Sequence, residues 1–296
     1  MKTRSDRVFN MFATAIMILL AALCIFPVLL LFMSSITSED ALLKYGYSIF
    51  PKKFGFGAYE YLWYSRKKIL RSYFMTIAST VTGTTISMLI TILFAYPLSR
   101  KNLPGRNIFS FVVFFTMLFN GGMIPSYLMW TQVFHIKDTF WALILPSLLL
   151  SGFAVIMMRT YFVTNVPENI LEAAMIDGAG EFRILARIVL PISRPILSTV
   201  GLMTALAYWN DWLNGLYYLT TRTDLYTIQN LLNRLITSSD FLSNNQANSM
   251  IAASIQVPSV GVRMAIAVIA IIPILVAYPF FQKGFVKGIV IGGVKG

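Results

Sequence analysis

Six long runs of mostly apolar residues constrain this chain more than any other feature. Hydrophobic residues make up 57% of its 296 residues and charged residues only 12%. A soluble domain carries about 25% charged residues, and a helix needs about 20 apolar residues to cross a bilayer. We therefore predict an all-α integral membrane protein, one domain over residues 1–296, with six spans near 8–33, 72–99, 107–130, 139–162, 195–219 and 260–282.

The first apolar run is predicted to remain in the protein as a span. Lys2, Arg4 and Arg7 precede it, as in a signal peptide. A signal peptide, however, has an apolar core of only about 7–15 residues and a small-residue cleavage site. Leu23 is also the wrong residue to precede Cys24 in a lipoprotein cleavage site. The length of the run therefore favours an uncleaved first span.

The net charge of +12 does not indicate a nucleic-acid partner. The basic residues are scattered at the ends of apolar runs, where they anchor helices to anionic headgroups. They form no clustered basic face and no recognition motif. Lys and Arg are only slightly more frequent in the segments expected inside than in those expected outside. The positive-inside rule alone therefore does not orient the chain.

The sequence offers no catalytic, nucleotide-binding or metal-binding pattern of its own. It lacks the G-x-x-x-x-G-K-[ST] motif that cradles nucleotide phosphates, so energy for any transport must come from a partner. Cys24 and His135 are the single residues of their types, which makes a zinc site improbable. Nothing in the sequence places His135 near Ser147 or Ser151, so we do not expect a hydrolase dyad.

The most polar long segment between spans lies at residues 167–195. Pro167 suits a first helical turn, and Glu168 complements the positive end of the helix dipole. Residues Leu171, Ala174, Met175 and Gly178 follow the i, i+3, i+4, i+7 spacing and predict one smooth face of small and apolar groups. The sequence Asp177 to Gly180 then ends this helix.

A second short amphipathic helix is predicted from Glu181 to Val189, ended by Leu190-Pro191. A short helix with a small-residue face, held between two spans outside the bilayer, is suited to a groove on another protein. An ordinary helical hairpin at the membrane surface is the alternative interpretation. The residue pattern alone does not exclude that alternative.

The same segment resembles the EAA loop in the permease subunits of bacterial ABC importers. The match comprises Glu172-Ala173-Ala174, then Gly178, Ile188 and Leu190-Pro191 at the family's spacing. The resemblance implies the type I importer permease fold, a cytoplasmic loop at 163–194 and cytoplasmic termini. It also implies that a coupling helix docks on an ATPase through Glu172, Ala173, Ala174, Met175, Asp177, Gly178 and Ala179.

Three further stretches resemble the carbohydrate-uptake type, in particular the second permease of maltose-type systems. They are residues 95–100, residues 208–212 and the glycine-rich tail. The resemblance implies a homologous second permease, an ATPase dimer that carries ATP and Mg, an extracytoplasmic solute-binding protein and an oligosaccharide substrate. It assigns the tail, 283–296, with Lys287, Gly288 and Lys295, to contact with the ATPase, and it implies no cofactor in this chain.

Two polar sites within spans are candidates for a substrate path. An ionisable group in a span is costly and normally faces a cavity or a partner. Asp211 is such a group, and its aromatic and amide neighbours suit the rings and hydroxyls of a sugar. An aromatic belt at the outer interface is an equally good interpretation. The candidates are Asn120, Gly121, Gly122, Tyr208, Trp209, Asn210, Asp211, Trp212 and Asn214.

A polar segment at 220–259 contains one more amphipathic pattern, from Ile228 to Ile236. Its apolar face is suited either to a solute-binding protein or to the outer membrane surface. Other functional classes also remain open at this point. They are an ion-coupled secondary transporter, an integral membrane enzyme, and an ABC importer permease for a solute other than a sugar.

Overall fold

The computed structural model describes residues 4–64, 66–234, 237 and 260–293, and these are mainly helical. Short 3₁₀ or π turns lie at Met129–Val133, Phe140–Leu143, Leu185–Val189 and Thr223–Leu225, and residues 228–234 are helical. The α-helices are α1 Arg4–Ser35, α2 Glu39–Tyr45, α3 Gly57–Tyr64, α4 Arg66–Ser99, α5 Arg106–Leu118, α6 Met123–Leu128, α7 Gly152–Asn165, α8 Glu168–Ile176, α9 Glu181–Ile184, α10 Leu190–Ile192, α11 Arg194–Trp209, α12 Leu213–Tyr218 and α13 Val260–Gly293.

The chain divides into two compact units, and the first comprises Met1–Ile69 with Leu232–Pro273. In this unit α1 is apolar on all sides, and its most hydrophobic stretch has no buried residue. Glu39 ties the following segment to α13, because its carboxylate accepts hydrogen bonds from the amides of Val260 and Gly261 at 2.9 and 3.1 Å. A carboxylate at this position satisfies free amides and complements the helix dipole.

The second unit comprises Leu70–Leu231 with Ile274–Gly296, and helix α4 is its longest described element. One face of α4 is buried, and many of its side chains are small or carry a hydroxyl group. Such residues allow membrane helices to approach closely. The hydroxyl-bearing members of the buried face are Ser72, Thr76, Ser79, Ser87 and Thr91.

The main apolar core of this unit joins the end of α4 to α5, α7, α11 and the polar segment between α7 and α11. Val155, Met158 and Ile184 are completely buried in it. Arg159 adds a polar tie, because its Nε donates to the carbonyl oxygen of Leu98 at 3.0 Å. The segment that resembles the EAA loop is therefore packed onto the helices rather than held by its ends alone.

Two of the described helices are long and apolar enough to cross a membrane, Val8–Ser35 and Arg66–Ser99. The predicted third span is broken: Arg106–Leu118 and Met123–Val133 meet at 110°. The break falls at Asn120 to Gly122, because Gly122 has a φ of 89° and Pro125 lacks an amide hydrogen. Helices Glu181–Ile192 and Arg194–Tyr218 form a second bent pair, at 84°. The count of six spans stays a prediction.

The helix boundaries depart most from the predicted spans at residues 139–162. The α-helix here begins only at Gly152 and continues to Asn165. Pro146 has no amide to donate and Ser147 has a φ of 64°, so the preceding chain does not continue as an α-helix. Ser151 then caps α7 by accepting a hydrogen bond from the amide of Ala154.

The predicted end of the second helix in the polar segment is corrected. Leu190-Pro191 does not end the second helix of the polar segment, because helical turns continue through α10 to Ile192. The π turn Leu185–Val189 precedes this proline and changes the local hydrogen-bond pattern.

The apolar face predicted from Ile228 onward is turned inward. Ile228 is completely buried, Leu231 is nearly so, and the amide of Ile228 donates to the hydroxyl of Thr76 at 2.9 Å. These two side chains are therefore unavailable to a binding protein or a membrane surface. Leu235 and Ile236 lie outside the described residues.

Candidate coupling loop and substrate path

Helix α8 forms at the predicted place, with Pro167 as its N-cap and Glu168 in its first turn. Its end is a Schellman motif. The amide of Gly178 donates to the carbonyl oxygen of Met175 at 3.0 Å, and the amide of Ala179 donates to that of Ala174 at 2.9 Å. Gly178 has a φ of 76°, a conformation that a residue with a Cβ adopts only at a cost. The glycine of the EAA pattern is thus a helix stop.

The orientation of α8 differs from the prediction. Leu171 is buried and Ala174 packs against the core, so part of the predicted smooth face is turned towards this chain. The opposite side is exposed and carries Glu172, Ala173, Ile176 and Asp177. Ile176 is 86% exposed. Met175 lies at the edge between the two sides, and its Sδ is 3.5 Å from a guanidinium nitrogen of Arg100.

The end of α4 is connected to this loop by three polar side chains. The Tyr96 hydroxyl donates to Glu181 Oε2, and the Arg100 guanidinium lies 3.6 Å from Glu181 Oε1. The Lys101 ammonium pairs with Glu168. Residue spacing did not predict these contacts, because the partners are far apart in sequence. The only earlier sign was that Tyr96 and Arg100 belong to a stretch that resembles the family.

The predicted path residues of the third span lie at the sharp break between α5 and α6. Asn120, Gly121 and Gly122 are exposed, and Asn120 Oδ1 accepts a hydrogen bond from the Gly122 amide at 2.9 Å. Open space surrounds the α-carbon of Gly121. The break therefore leaves this short stretch uncovered by the described part of the chain.

The predicted residues of the fifth span are not one surface, because two of them are internal ties. Tyr208 is buried and donates its hydroxyl to the carbonyl oxygen of Ile144 at 3.0 Å. Asn214 is buried and its amide donates to the carbonyl oxygen of Pro146 at 3.0 Å. Both polar groups are occupied in holding α11 and α12 to the irregular segment before α7.

The other members of this set lie around the break between α11 and α12. Asp211 Oδ1 accepts from the amides of Leu213 and Asn214 at 3.1 and 3.3 Å, so its carboxylate caps α12. Asn210 and Trp212 are exposed. The indole nitrogen of Trp209 is buried without a hydrogen-bond partner among the described residues.

A separate cluster orders the turn that follows α12. Asp138 accepts hydrogen bonds from the amides of Thr220, Thr221 and Arg222 and from the Thr220 hydroxyl, at 2.8–3.2 Å. Burial alone would raise the pKa of Asp138. These hydrogen bonds outweigh the burial effect and hold the pKa well below its usual value. No motif or residue spacing predicts this cluster, because Asp138 and its partners lie more than 80 residues apart.

The end of the chain is described only in part. Lys287 and Gly288 lie within α13, which continues as a helix to Gly293. Lys295 lies outside the described residues. The predicted contact of this tail with an ATPase therefore stays a prediction.

Comparison with known proteins decides the class. Residues 54–291 match the family model of the binding-protein-dependent transport system inner membrane component. The chain belongs to this family. The permease resembles LplC of Bacillus subtilis, with 37% identity over 99% of this chain and 97% of the relative. It also resembles the polygalacturonan/rhamnogalacturonan transport permease YtcP of the same organism, with 35% identity over 98% and 99%.

A solved structure supports the same assignment. A bacterial ABC transporter that imports the acidic polysaccharide alginate contains a chain that matches 96% of the permease, with 98% of that chain covered. The identity is 30% and the TM-score is 0.78. The permease is therefore an inner-membrane subunit of the sugar-importing ABC class, as its residues indicated. Membership implies an ATPase, a solute-binding protein and a second permease as partners.

Proposed function

We propose that the permease forms half of an ATP-driven import pore for an oligosaccharide, and that α8 receives the mechanical work. The observation that carries this proposal is the exposed side of α8, where Ala173 is small and Ile176 is apolar. Exposed apolar groups on a short, fixed helix favour protein docking. Glu172 and Asp177 flank them with negative charge, and Gly178 and Ala179 end the helix in a fixed turn.

In this proposal the polar segment at 163–194 and both termini face the cytoplasm. The ATPase dimer binds beneath the two permeases and carries ATP and Mg, and this chain holds neither. Lys287, Gly288 and Lys295 contact the ATPase from the tail. Closure of the ATPase pushes α8, and the attached helices switch between inward- and outward-facing states as rigid bodies.

We propose that the substrate passes the two helix breaks. Asn120, Gly121 and Gly122 line one side, and Asn210, Asp211 and Trp212 line the other. Tyr208, Trp209 and Asn214 support the second break from within. The names of two relatives, for polygalacturonan or rhamnogalacturonan and for alginate, support an oligosaccharide as the substrate class. Oligogalacturonates and alginate oligosaccharides are therefore suitable first probes.

Purification of the tagged permease from its native membranes tests the assembly. We expect an ATPase with a P-loop, a homologous permease and a solute-binding protein in the same complex. Recovery of the permease alone, with ion-driven uptake of the probes in liposomes, would instead establish a secondary transporter. Neither result depends on knowing the sugar in advance.

A substitution on α8 tests docking. Ala173→Asp adds charge to the exposed side, and we expect it to reduce the amount of co-purified ATPase at least tenfold while the permease still inserts. Ala173→Ser, which adds a polar group of similar size without charge at the same position, is the matched control. Normal ATPase recovery with Ala173→Asp would rule out this face as the docking surface.

A further inference from the structure

The two acids that meet α4 occupy equivalent positions in the loop. Glu168 is the first residue of α8 and Glu181 is the first residue of α9. The Schellman turn at Gly178 lies between these helices. The end of α4 therefore holds the loop on both sides of that turn, through Lys101 on one side and through Tyr96 and Arg100 on the other. We name these five side chains the α4 clamp.

The clamp borders open space as well as the packed core of the loop. A cavity of about 380 Å³ borders the clamp on the side of Glu181, and its walls include Leu103 and Phe182. A second cavity of about 150 Å³ lies on the side of Glu168. Phe182 is 79% exposed. With cavities beside both contacts, the polar clamp carries more of the connection than it would in a close-packed interface.

The strengths of the two contacts differ. The side chains of Lys101 and Glu168 are 68% and 45% exposed, and exposed ion pairs contribute little to folding. Arg100 is 16% exposed and Tyr96 is buried, so the two partners of Glu181 are shielded from water although the Glu181 side chain is itself 55% exposed. Hydrogen bonds to a carboxylate are also stronger than neutral ones. The Glu181 side is therefore the firmer half of the clamp.

We propose that the α4 clamp transmits motion between the coupling loop and α4, so that its five members are positioning residues for import. The inference rests on the proposed function, in which α8 receives work from an ATPase. Glu168 and Glu181 in the first turns also favour their own helices through the dipole. That local role does not require Tyr96, Arg100 or Lys101. The inference concerns the contacts that these three side chains make with Glu181 and Glu168.

The test uses the complete importer in nanodiscs, with its second permease, its ATPase and its solute-binding protein as purified. In the proposed function the two sites are coupled through the permeases, so we expect docking of the binding protein outside to stimulate ATP hydrolysis inside. The measurement is this stimulation per assembled complex. The variants are Tyr96→Phe, which removes one hydroxyl, and Lys101→Gln, Glu168→Gln and their double mutant.

We expect Tyr96→Phe to lower the stimulation by about twofold to fivefold and Lys101→Gln, whose ion pair is exposed, by about 1.5-fold to twofold, the range that such contacts supply. The double mutant of Lys101→Gln and Glu168→Gln should show no less stimulation than the lower of the two single variants, because both substitutions break the same contact. Lys101→Arg keeps the charge and should retain the stimulation. The amount of assembled complex should remain that of the wild type.

Three results would overturn the inference. Wild-type stimulation in Tyr96→Phe and Lys101→Gln would show that the clamp transmits nothing. Loss of assembly with unchanged stimulation per complex would show a structural role only. Absence of stimulation in the wild-type importer would refute the proposed coupling itself, and with it the clamp, so the two failures are distinguishable.

Discussion

The hydroxyl of Tyr208 donates a hydrogen bond to the carbonyl oxygen of Ile144 at 3.0 Å, and this bond fixes the Tyr208 ring against α4. A Cβ added to Gly83 would lie 2.5 Å from that ring. Only a glycine at position 83 leaves room for the Tyr208 ring. The ring in turn is held by Ile144, which lies in a segment that is not α-helical. Three separate parts of the second unit meet at this one ring.

The first prediction concerns that contact. Gly83→Ala should destabilise the permease by about 1–3 kcal/mol, because the ring cannot move aside without losing its hydrogen bond. Thermal unfolding of the solubilised protein measures the effect. Gly201→Ala is the matched control, since the nearest atom to its new Cβ is the flexible end of Met88 at 3.9 Å. Equal melting temperatures for the two variants would contradict the prediction.

Substitutions of Asn214 and Asn210 are predicted to affect different properties, stability in the first case and transport in the second. Asn214→Ala removes a buried hydrogen bond to the carbonyl oxygen of Pro146, which keeps its bond from the Leu148 amide, and should cost about 0.5–1.5 kcal/mol. Asn210→Ala, at an exposed position, should leave the melting temperature unchanged and, under the proposed path, slow uptake of the saccharide probe. A large loss of stability in Asn210→Ala would show that this residue is structural as well.

The helix stop at Gly178 is predicted to be sensitive to any side chain. Gly178→Ala forces a Cβ into the left-handed conformation, at a cost of about 1–2 kcal/mol, and should loosen the turn after α8. ATPase recovery and amide exchange of residues 174–179 measure the change. Gly180→Ala is the control, because Gly180 has a φ of −70° and open space around it. Similar effects at both glycines would refute the conformational explanation.

The Asp138 cluster makes a prediction about pH. The pKa of Asp138 is lower in the folded protein than in the unfolded chain, so its contribution to stability is present above about pH 4. This contribution is lost only as the pH falls through the pKa that Asp138 has in the folded protein. Amide exchange at residues 220–222, corrected for intrinsic rates, should therefore show constant protection from pH 8 to pH 5.

The variant Asp138→Asn isolates the charge in this cluster. Asparagine tolerates the φ of 56° at this position and keeps one acceptor oxygen, so backbone strain is not introduced. Protection of the same amides should fall at every pH in that range. A wild-type transition between pH 6 and pH 5 would show instead that Asp138 titrates above its usual range.

Much of the coupling loop could be predicted from sequence because its determinants are local. The proline before α8, the acid in its first turn and the glycine after it each act on the backbone within a few residues. The break at Asn120 to Gly122 has local determinants as well, because glycine and proline act on the backbone next to them. The start of α7 was missed, since Pro146 and Ser151 lie in an apolar run that resembles a continuous span.

Hydrophobic run length and short-range backbone preferences suffice to predict a membrane chain and a helix stop at Gly178. The resemblance of the polar segment to sugar-importer permeases added the class of protein. The packed structure was needed to show which side of α8 is exposed, that Tyr208 and Asn214 are internal ties, and that Tyr96, Arg100 and Lys101 meet the loop. Those properties depend on contacts between residues far apart in sequence, and a periodic pattern identifies an apolar face without saying what covers it.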